Sequence, residues 1–412
     1  MDSNTTKYVI LLGDGMADLA IESLGGKTPL EYANTPNMDS LARSGILGMV
    51  RTVPEGMQPG SDIANLSILG YNPRECYCGR APLEAINMGI ELGSRDVAVR
   101  CNMVEIRDGI LHDFSAGHID SEFSALIMKE LAGNISINGL EFHPGVSYRN
   151  IVVWRNYPHE NMPVTTPPHD IQGQEVIKHL PSGDGSAVLN KIMKESSDII
   201  SSSPAMRNAK STYRGSPTAV WLWGCGRRPS MEPFNKRFNL SGFTISAVDL
   251  IHGIGRAAGL TPLPVSGATG YIDTNYAGKA EALLEALTRA NFVFLHVESP
   301  DESGHEGNLG HKIQAIEDFD RQIVGRVLDG ITKFRDYSVL VLTDHPTPVA
   351  MRSHTADPVP FCIHSTMGWV GTAFERNQGA SFSEKSASAT GLFVKEGHRL
   401  IELLLYQKLP DM

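Results

Sequence analysis

The chain has 412 residues, of which 41% are hydrophobic and 20% charged, the balance of an ordinary soluble globular protein with room for two or three domains. Thirty-six Lys plus Arg against 46 Asp plus Glu leave a net charge of −10, which argues against nucleic acid or an anionic membrane as the main partner. Any anionic substrate must then be drawn in by a local basic cluster. Cys76, Cys78, Cys101, Cys225 and Cys362 are an odd set without C-x-x-C spacing, so neither a disulfide framework nor a zinc knot is indicated, and a reducing cytoplasm is expected.

The first apolar run, Tyr8 to Leu12, is too brief for a signal core or a membrane span, and no other segment approaches membrane length. It breaks into Gly13-Asp14-Gly15, where small neighbours let a carboxylate approach an ion, although the same tripeptide is also an ordinary turn. Next, Pro59-Gly60-Ser61-Asp62 precedes Ile63 to Leu69, a helix opening at or near Ser61. Free N–H groups and the positive end of the dipole make such a place a seat for phosphate; the plain alternative is an N-cap serine.

The middle of the chain has a different texture. Short strands, such as Asn150 to Trp154 and Ala219 to Trp223, are separated by loops rich in Pro, Gly and Ser, such as Pro163 to Pro168. Residues 76–249 are therefore expected to form an inserted, smaller α+β domain. The flanking segments, 1–75 and 250–412, should build one doubly wound α/β domain together.

In the last third, Ala277 to Ala290 reads as a helix, and Phe292 to Val297 as a buried strand running into Pro300-Asp301-Glu302-Ser303-Gly304-His305. Asp301 and His305, four apart, can face a single ion; otherwise they are an N-cap aspartate and a solvated histidine. Ile313, Ile316, Phe319, Ile323 and Val327 recur at helical spacing over His311 to Leu328. Val339 to Leu342 then runs into Asp344-His345, and His354 follows in a polar segment where a surface histidine is the plain reading.

Parallel α/β sheets place ligands beyond the carboxyl ends of their strands, so these loops are expected to share one rim. Carboxylates and imidazoles without thiolate suit Mn²⁺, Zn²⁺, Co²⁺ or Mg²⁺. Magnitude also favours metal. Phosphate-monoester hydrolysis needs up to about 10²¹-fold acceleration and general acid-base help supplies about 10²- to 10⁴-fold, so most must come from charge stabilisation and positioning.

Specific stretches carry a resemblance: Ile10 to Met16, Gly26-Lys27-Thr28-Pro29, Asn34 to Leu41, Pro59 to Gly70, Gly79 to Ala85, Ala268 to Tyr276, His296 to His305 and Asp344 to Pro348. Together they run through nearly the whole chain, which resembles the cofactor-independent phosphoglycerate mutases of the archaeal type, within the alkaline phosphatase superfamily. The resemblance implies a phosphatase-like domain split around a transferase insert, and isomerisation of 3-phosphoglycerate and 2-phosphoglycerate through phosphoserine at Ser61. It implies two divalent cations, Mn²⁺ first and Zn²⁺, Co²⁺ or Mg²⁺ as alternatives, and no bisphosphoglycerate. Asp301, His305 and His354 would hold one cation; Asp14, Ser61, Asp344 and His345 the other.

Such a cycle must grip the glycerate while it is free of phosphate, a task that suits arginine forks. The candidates are His118, Arg149, Arg227, Arg228 and Lys279, with His169 and Asp170 behind them; each arginine is also readable as a solvated surface charge, and Lys279 as the exposed face of a helix. Cys225 and Ile119-Asp120-Ser121 depart from what relatives are expected to carry, and both lie in the insert that selects substrate. A homoserine kinase-like phosphotransferase, a metal-dependent phosphatase and a non-catalytic binding protein are therefore the competing readings. The expected partner is a small phosphorylated molecule rather than nucleic acid or membrane, and the oligomeric state is left open.

Overall fold

The computed structural model describes residues 6–207, 213–369 and 379–408. The protein divides into two compact units, Met1–Tyr77 with Ser230–Met412, and Cys78–Pro229. Among the described residues no helix is long and apolar enough to cross a membrane.

The first unit is α/β and is organised by an eight-stranded sheet. Its strands run in the order Phe393–Val394, Ile46–Val50, Val359–Ser365, Tyr337–Leu342, Lys7–Gly13, Phe292–Val297, Gly242–Ile245 and Thr261–Pro262. Lys7–Gly13 pairs in parallel with a neighbour on each side, Leu12 standing opposite both His296 and Leu342. These central strands are covered on both faces, which is why they read as continuous apolar runs: Val9 to Leu12, Phe292 to Leu295 and Val339 to Leu342 are fully buried. In-register pairing makes the three strands end at one level, so the loops carrying Asp14, Asp301 and Asp344 leave the sheet together.

Residues 230–249, read from the sequence as the end of the insert, belong to this unit instead. Gly242–Ile245 pairs in parallel with Phe292–Val297 and extends the sheet. A four-residue strand is too short to stand out by periodicity, and Gly242 fits because a Cβ there would come within 2.4 Å of Phe292 O. The long helical pattern is also more detailed than its spacing shows. It forms an α-helix over Leu309–Asp318, a π-helical stretch over Phe319–Gly325 and a further α-helix over Arg326–Ile331. Asp320 in the π-helical stretch accepts from the backbone N–H groups of Asn37 and Met38, in the first turn of the helix Pro36–Ser44, whose own Thr35 provides no side-chain cap.

The second unit is α+β. Val97–Arg107 is its longest strand and pairs antiparallel with Arg149–Trp154, Ala219–Arg227 and Ile110–Asp113. One hydrophobic core gathers Val97, Val99, Cys101 and Met103 with the helices Ser121–Asn134 and Ser186–Ser202. A smaller one joins Ala98, Ile151 and Val153 to Ala81 and Ala85 of the helix Arg80–Asn87.

A buried lysine ties the rim of the first unit together. Lys312 is fully buried, and its ammonium donates to Ala17 O at 3.2 Å, Asp18 Oδ2 at 2.8 Å and Thr347 O at 2.7 Å. It thus bonds both the loop after Lys7–Gly13 and the loop after Tyr337–Leu342. Burial works to lower its pKa, and the Asp18 carboxylate opposes that shift. Removing one member of such a pair leaves an uncompensated buried charge. Lys312→Met is therefore expected to lower unfolding stability by about 3–5 kcal/mol, measured by urea titration. A loss under about 1 kcal/mol would show that the ammonium is dispensable to the rim.

Candidate active site

Asp14 is fixed where the central strand ends, its N–H donating to Val297 O at 2.9 Å. The next residue must be glycine. Gly15 has a φ of +60°, and a Cβ there would lie 2.5 Å from Asp301 Oδ1 and 2.6 Å from Thr347 Oγ1. Its N–H donates to Asp344 Oδ1 at 3.1 Å, so the loops carrying Asp14, Asp301 and Asp344 meet at one glycine.

Ser61 is the first residue of the helix Ser61–Ile68. Its Oγ lies 3.2 Å from His345 Nε2 and 3.4 Å from Asp14 Oδ2. One turn on, Asn65 Nδ2 donates to Ser61 O at 2.8 Å and to Asp344 Oδ2 at 3.2 Å, tying the head of the helix to the rim. His345 and Asp344 are fully buried, and His345 Nε2 stands 3.6 Å from Asp14 Oδ1 and 3.4 Å from Asp344 Oδ2.

Asp301 and His305 lie one turn apart on the helix Ser299–Glu306, and His354 approaches from the loop beyond Tyr337–Leu342. Asp301 Oδ2 is 3.2 Å from His305 Nε2, Asp301 Oδ1 is 3.4 Å from His354 Nε2, and the two Nε2 atoms are 2.8 Å apart. His305 Nδ1 donates its N–H to Arg352 O at 3.1 Å, which turns Nε2 towards Asp301 and His354. Thr347 Oγ1 donates to Asp301 Oδ1, holding the carboxylate from its other side.

The sequence-derived ligand candidates therefore come together in two groups. Asp301, His305 and His354 form one, and Asp14, Asp344 and His345 the other; in each, one ligand atom per residue lies within 4.8 Å of the others. Ser61 abuts the second. Electrostatics favour cations here. Burial, with Asp344, Asp301 and Glu298 nearby, pushes the Asp14 carboxyl well above its ordinary range, and its Oδ1 has no hydrogen-bond partner. Burial also opposes ionisation of Asp301, yet the imidazoles of His305 and His354 hold it well below the usual carboxylate range. A buried set of acids of this kind calls for positive charge.

Two residues at this rim were not singled out from the sequence. His296 Nε2 lies 2.9 Å from Asp14 Oδ2 and 3.7 Å from Glu298 Oε2, giving a third group of potential ligands. A histidine inside an otherwise apolar strand, one residue before its end, was the available signal. Lys279 needs a correction: it is fully buried, not on the exposed face of its helix, and its ammonium donates to His296 O at 3.5 Å. Burial lowers its pKa to about 8, against the pull of Glu298.

In the second unit, taken by itself, the candidates divide. His118 packs edge-on to Tyr148 at 6.0 Å, and the Arg149 guanidinium lies 5.5 Å from the same ring. Phe114 connects Tyr148 to His169, which in turn packs against Trp223. Arg100, missed in the sequence, joins this aromatic wall: its guanidinium stacks 4.2 Å from the Trp223 ring and pairs with Glu84 at 3.0 Å. Arg227 is apart from that wall, donating to His159 O at 2.7 Å, and Arg228 is exposed. Asp170 lies 3.6 Å from His169. Burial pushes the Cys225 thiol up to about 12, which disfavours the thiolate.

Comparison with known proteins agrees over the whole length. The family model described as 2,3-bisphosphoglycerate-independent phosphoglycerate mutase matches residues 42–205. A 2,3-bisphosphoglycerate-independent phosphoglycerate mutase of Methanothrix thermoacetophila is 50% identical, over 97% of this chain and 99% of its own. A probable one of Geobacter sulfurreducens is 48% identical over the same shares. Among solved structures, a Pyrococcus horikoshii protein superposes with a TM-score of 0.78 at 28% identity, covering 99% of each chain. The cofactor-independent phosphoglycerate mutase of Thermoplasma acidophilum shares the fold, with a TM-score of 0.61 at 21% identity over 98% of this chain and 100% of its own. With relatives near half identity along almost every residue, the chain belongs to the family of 2,3-bisphosphoglycerate-independent phosphoglycerate mutases.

Proposed function

We propose that this protein interconverts 3-phosphoglycerate and 2-phosphoglycerate without bisphosphoglycerate, by way of a phosphoserine at Ser61. The observation that carries the reading is the position of Ser61 Oγ, within 3.5 Å of both His345 Nε2 and Asp14 Oδ2 at the head of a helix. The N-cap position of this helix is Gly60, so Ser61 is its first helical residue, and its hydroxyl faces Asp14 and His345.

Asp301, His305 and His354 are assigned to one divalent cation, and Asp14, Ser61, Asp344 and His345 to a second, with Mn²⁺ the first choice on donor chemistry. When bound, such a pair supplies charge for the phosphoryl oxygens and favours the serine alkoxide. The side chains contribute the rest. Asp14 and His345 flank the Ser61 hydroxyl and orient it. Asn65 anchors Ser61 through its carbonyl, and Thr347 fixes Asp301.

Chemically, the Ser61 oxygen forms a bond to phosphorus as the bond to one glycerate oxygen breaks. The glycerate then presents its other hydroxyl, the serine ester breaks, and the phosphoryl group returns. Glycerate must stay bound in between, or water would take the phosphate. His118 and Arg149 are assigned to that grip, while Arg227, already bonded to a loop carbonyl, and exposed Arg228 are weaker choices; Arg100, buried and paired with Glu84, supports the wall from behind. Lys279 is assigned an electrostatic part beneath His296 rather than a direct phosphate contact.

Two outcomes are expected. Ser61→Ala should lose at least about a thousandfold in turnover, more than the 10²- to 10⁴-fold range's lower end for a lost acid-base group. Acid-quenched wild-type reactions should yield a phosphopeptide containing Ser61 by mass spectrometry, and normal turnover in the alanine variant would refute the assignment. The second concerns pH. Burial would lower the His305 imidazole, but the adjacent Asp301 carboxylate overrides this and holds it at about 9 in the metal-free protein. Below that pH a proton must leave before Nε2 can ligate. Mn²⁺ affinity, measured by chelator competition, should therefore rise about tenfold per pH unit from 6.5 towards 9 and then level. A flat profile would mean that His305 is not a ligand.

A further inference from the structure

We infer that Asp113 and Ser147 are positioning residues that lock His118 and Arg149 into one stiff frame, and that this stiffness decides whether the phosphoryl group on Ser61 returns to glycerate or is lost to water. The inference deepens the proposed reading and rests on it, because it takes His118 and Arg149 as the grip on glycerate. The frame lies wholly within the second unit.

His118 stands at the exposed tip of a loop whose feet are buried. Ser115, Ala116 and Ile119 are shielded from solvent, and Ala116 and Ile119 belong to the same core as Phe123 of the helix Ser121–Asn134. The backbone between them is left-handed three times in succession, with φ of +50° at Ala116, +74° at Gly117 and +51° at His118. A left-handed alanine is sterically disfavoured and persists only where its surroundings impose it. Asp113 imposes it. Its Oδ1 accepts the N–H and the hydroxyl of Ser115, both at 2.7 Å, and its Oδ2 accepts the Gly117 N–H at 2.8 Å. Ser115 Oγ in turn accepts the His118 N–H at 3.1 Å. Burial works against the charge on Asp113, but the Ser115 and Gly117 donors outweigh it and hold the carboxyl below its ordinary range.

A further left-handed residue carries the other half of the grip. Ser147, with a φ of +55°, lies in the turn between the strands Leu140–Val146 and Arg149–Trp154. It is bonded to the first loop and to the helix that follows it: Ser147 Oγ donates to Ile119 O at 2.7 Å, and its N–H donates to Ser121 Oγ at 2.9 Å. Tyr148 O accepts the Met103 N–H at 2.9 Å, which ties the turn to the long strand Val97–Arg107. The Tyr148 ring, 6.0 Å from the His118 ring and 5.5 Å from the Arg149 guanidinium, fills the space between the two.

The plain alternative is that these bonds only close two surface turns. Among the described residues eight non-glycines have positive φ, and Ala116, His118 and Ser147 are gathered at this one place. Strain concentrated beside two grip residues is expected where a fixed geometry serves binding. In the proposed cycle glycerate and water compete for one phosphoryl group. When water wins, its oxygen bonds to phosphorus, the bond from phosphorus to the Ser61 oxygen breaks, one proton passes to that oxygen, and inorganic phosphate leaves. A grip free to turn takes the glycerate hydroxyl out of line while water stays abundant, and a misplacement of ~1 Å can cost about 10²-fold in rate.

Isomerisation of 3-phosphoglycerate by the full-length, Mn²⁺-loaded protein, with inorganic phosphate counted in the same reaction, tests the inference. Asp113→Ala and Ser147→Ala should each raise KM about tenfold, and phosphate released per isomerisation about tenfold, while urea unfolding stays cooperative. Asp113→Asn, which keeps an acceptor for Ser115 but not for Gly117, should fall between the wild type and Asp113→Ala in both readouts. Should Asp113→Ala fail to fold, Ser147→Ala alone decides. A folded alanine variant with wild-type KM and wild-type phosphate release, whatever its kcat or stability, overturns the inference when His118→Ala raises both. If His118→Ala and Arg149→Ala leave both unchanged, the grip itself is wrongly assigned, and the inference falls with the reading beneath it.

Discussion

Electrostatic repulsion among buried carboxylates is the constraint around which this protein is arranged. Asp14, Asp301, Asp344 and Glu298 are crowded at one rim of a sheet, and burial with mutual repulsion drives Asp14 far from the ionisation it would have in water. A fold that only sought stability would disperse such groups, since each buried charge without a partner costs several kcal/mol. Keeping them together makes sense where divalent cations and a phosphoryl group are to be held, and there the liability becomes the source of affinity.

The rest of the first unit can be understood as what forces those acids to converge. Parallel pairing in register ends three strands at one level. Gly15 lets Asp301 and Thr347 approach within a distance no side chain would permit, and its N–H donates to Asp344. Lys312 then ties the central loop, after Lys7–Gly13, to the loop after Tyr337–Leu342. Ser61 comes to the group from a separate helix, anchored by Asn65 to the same Asp344 that receives the Gly15 N–H. Ser61, proposed as the nucleophile, and the proposed ligands thus share a common set of supports, so that a displacement of one loop would be felt by all.

Much of this was legible in the residues. Apolar strands that break into acidic or imidazole-bearing loops identify a parallel sheet with a ligand rim, and Asp14, Asp301, His305, Asp344, His345 and His354 all stand where that pattern puts them. What stayed hidden was of another kind. His296 lies within an apolar strand and looks like core until its partners on two other strands are known. Lys279 falls at a helical position that periodicity cannot distinguish from a solvated one, and only the packing beneath His296 shows it buried. Gly242–Ile245 is too short to declare itself, which misplaced the end of the insert, and the π-helical turn at Phe319–Gly325 leaves the apolar spacing nearly unchanged. Arg100 is fixed by stacking on Trp223, more than a hundred positions away, and no local signal marks such a pair. Contacts distant in sequence are what the pattern lacks.

The stereochemical course at phosphorus tests the central claim most directly. Each in-line displacement inverts configuration, so transfer to Ser61 and back comprises two inversions. Phosphoglycerate made chiral at phosphorus with three oxygen isotopes should therefore be isomerised with overall retention, read by phosphorus NMR of the product. Overall inversion would mean a single direct transfer between glycerate oxygens, and Ser61 would then have no covalent part.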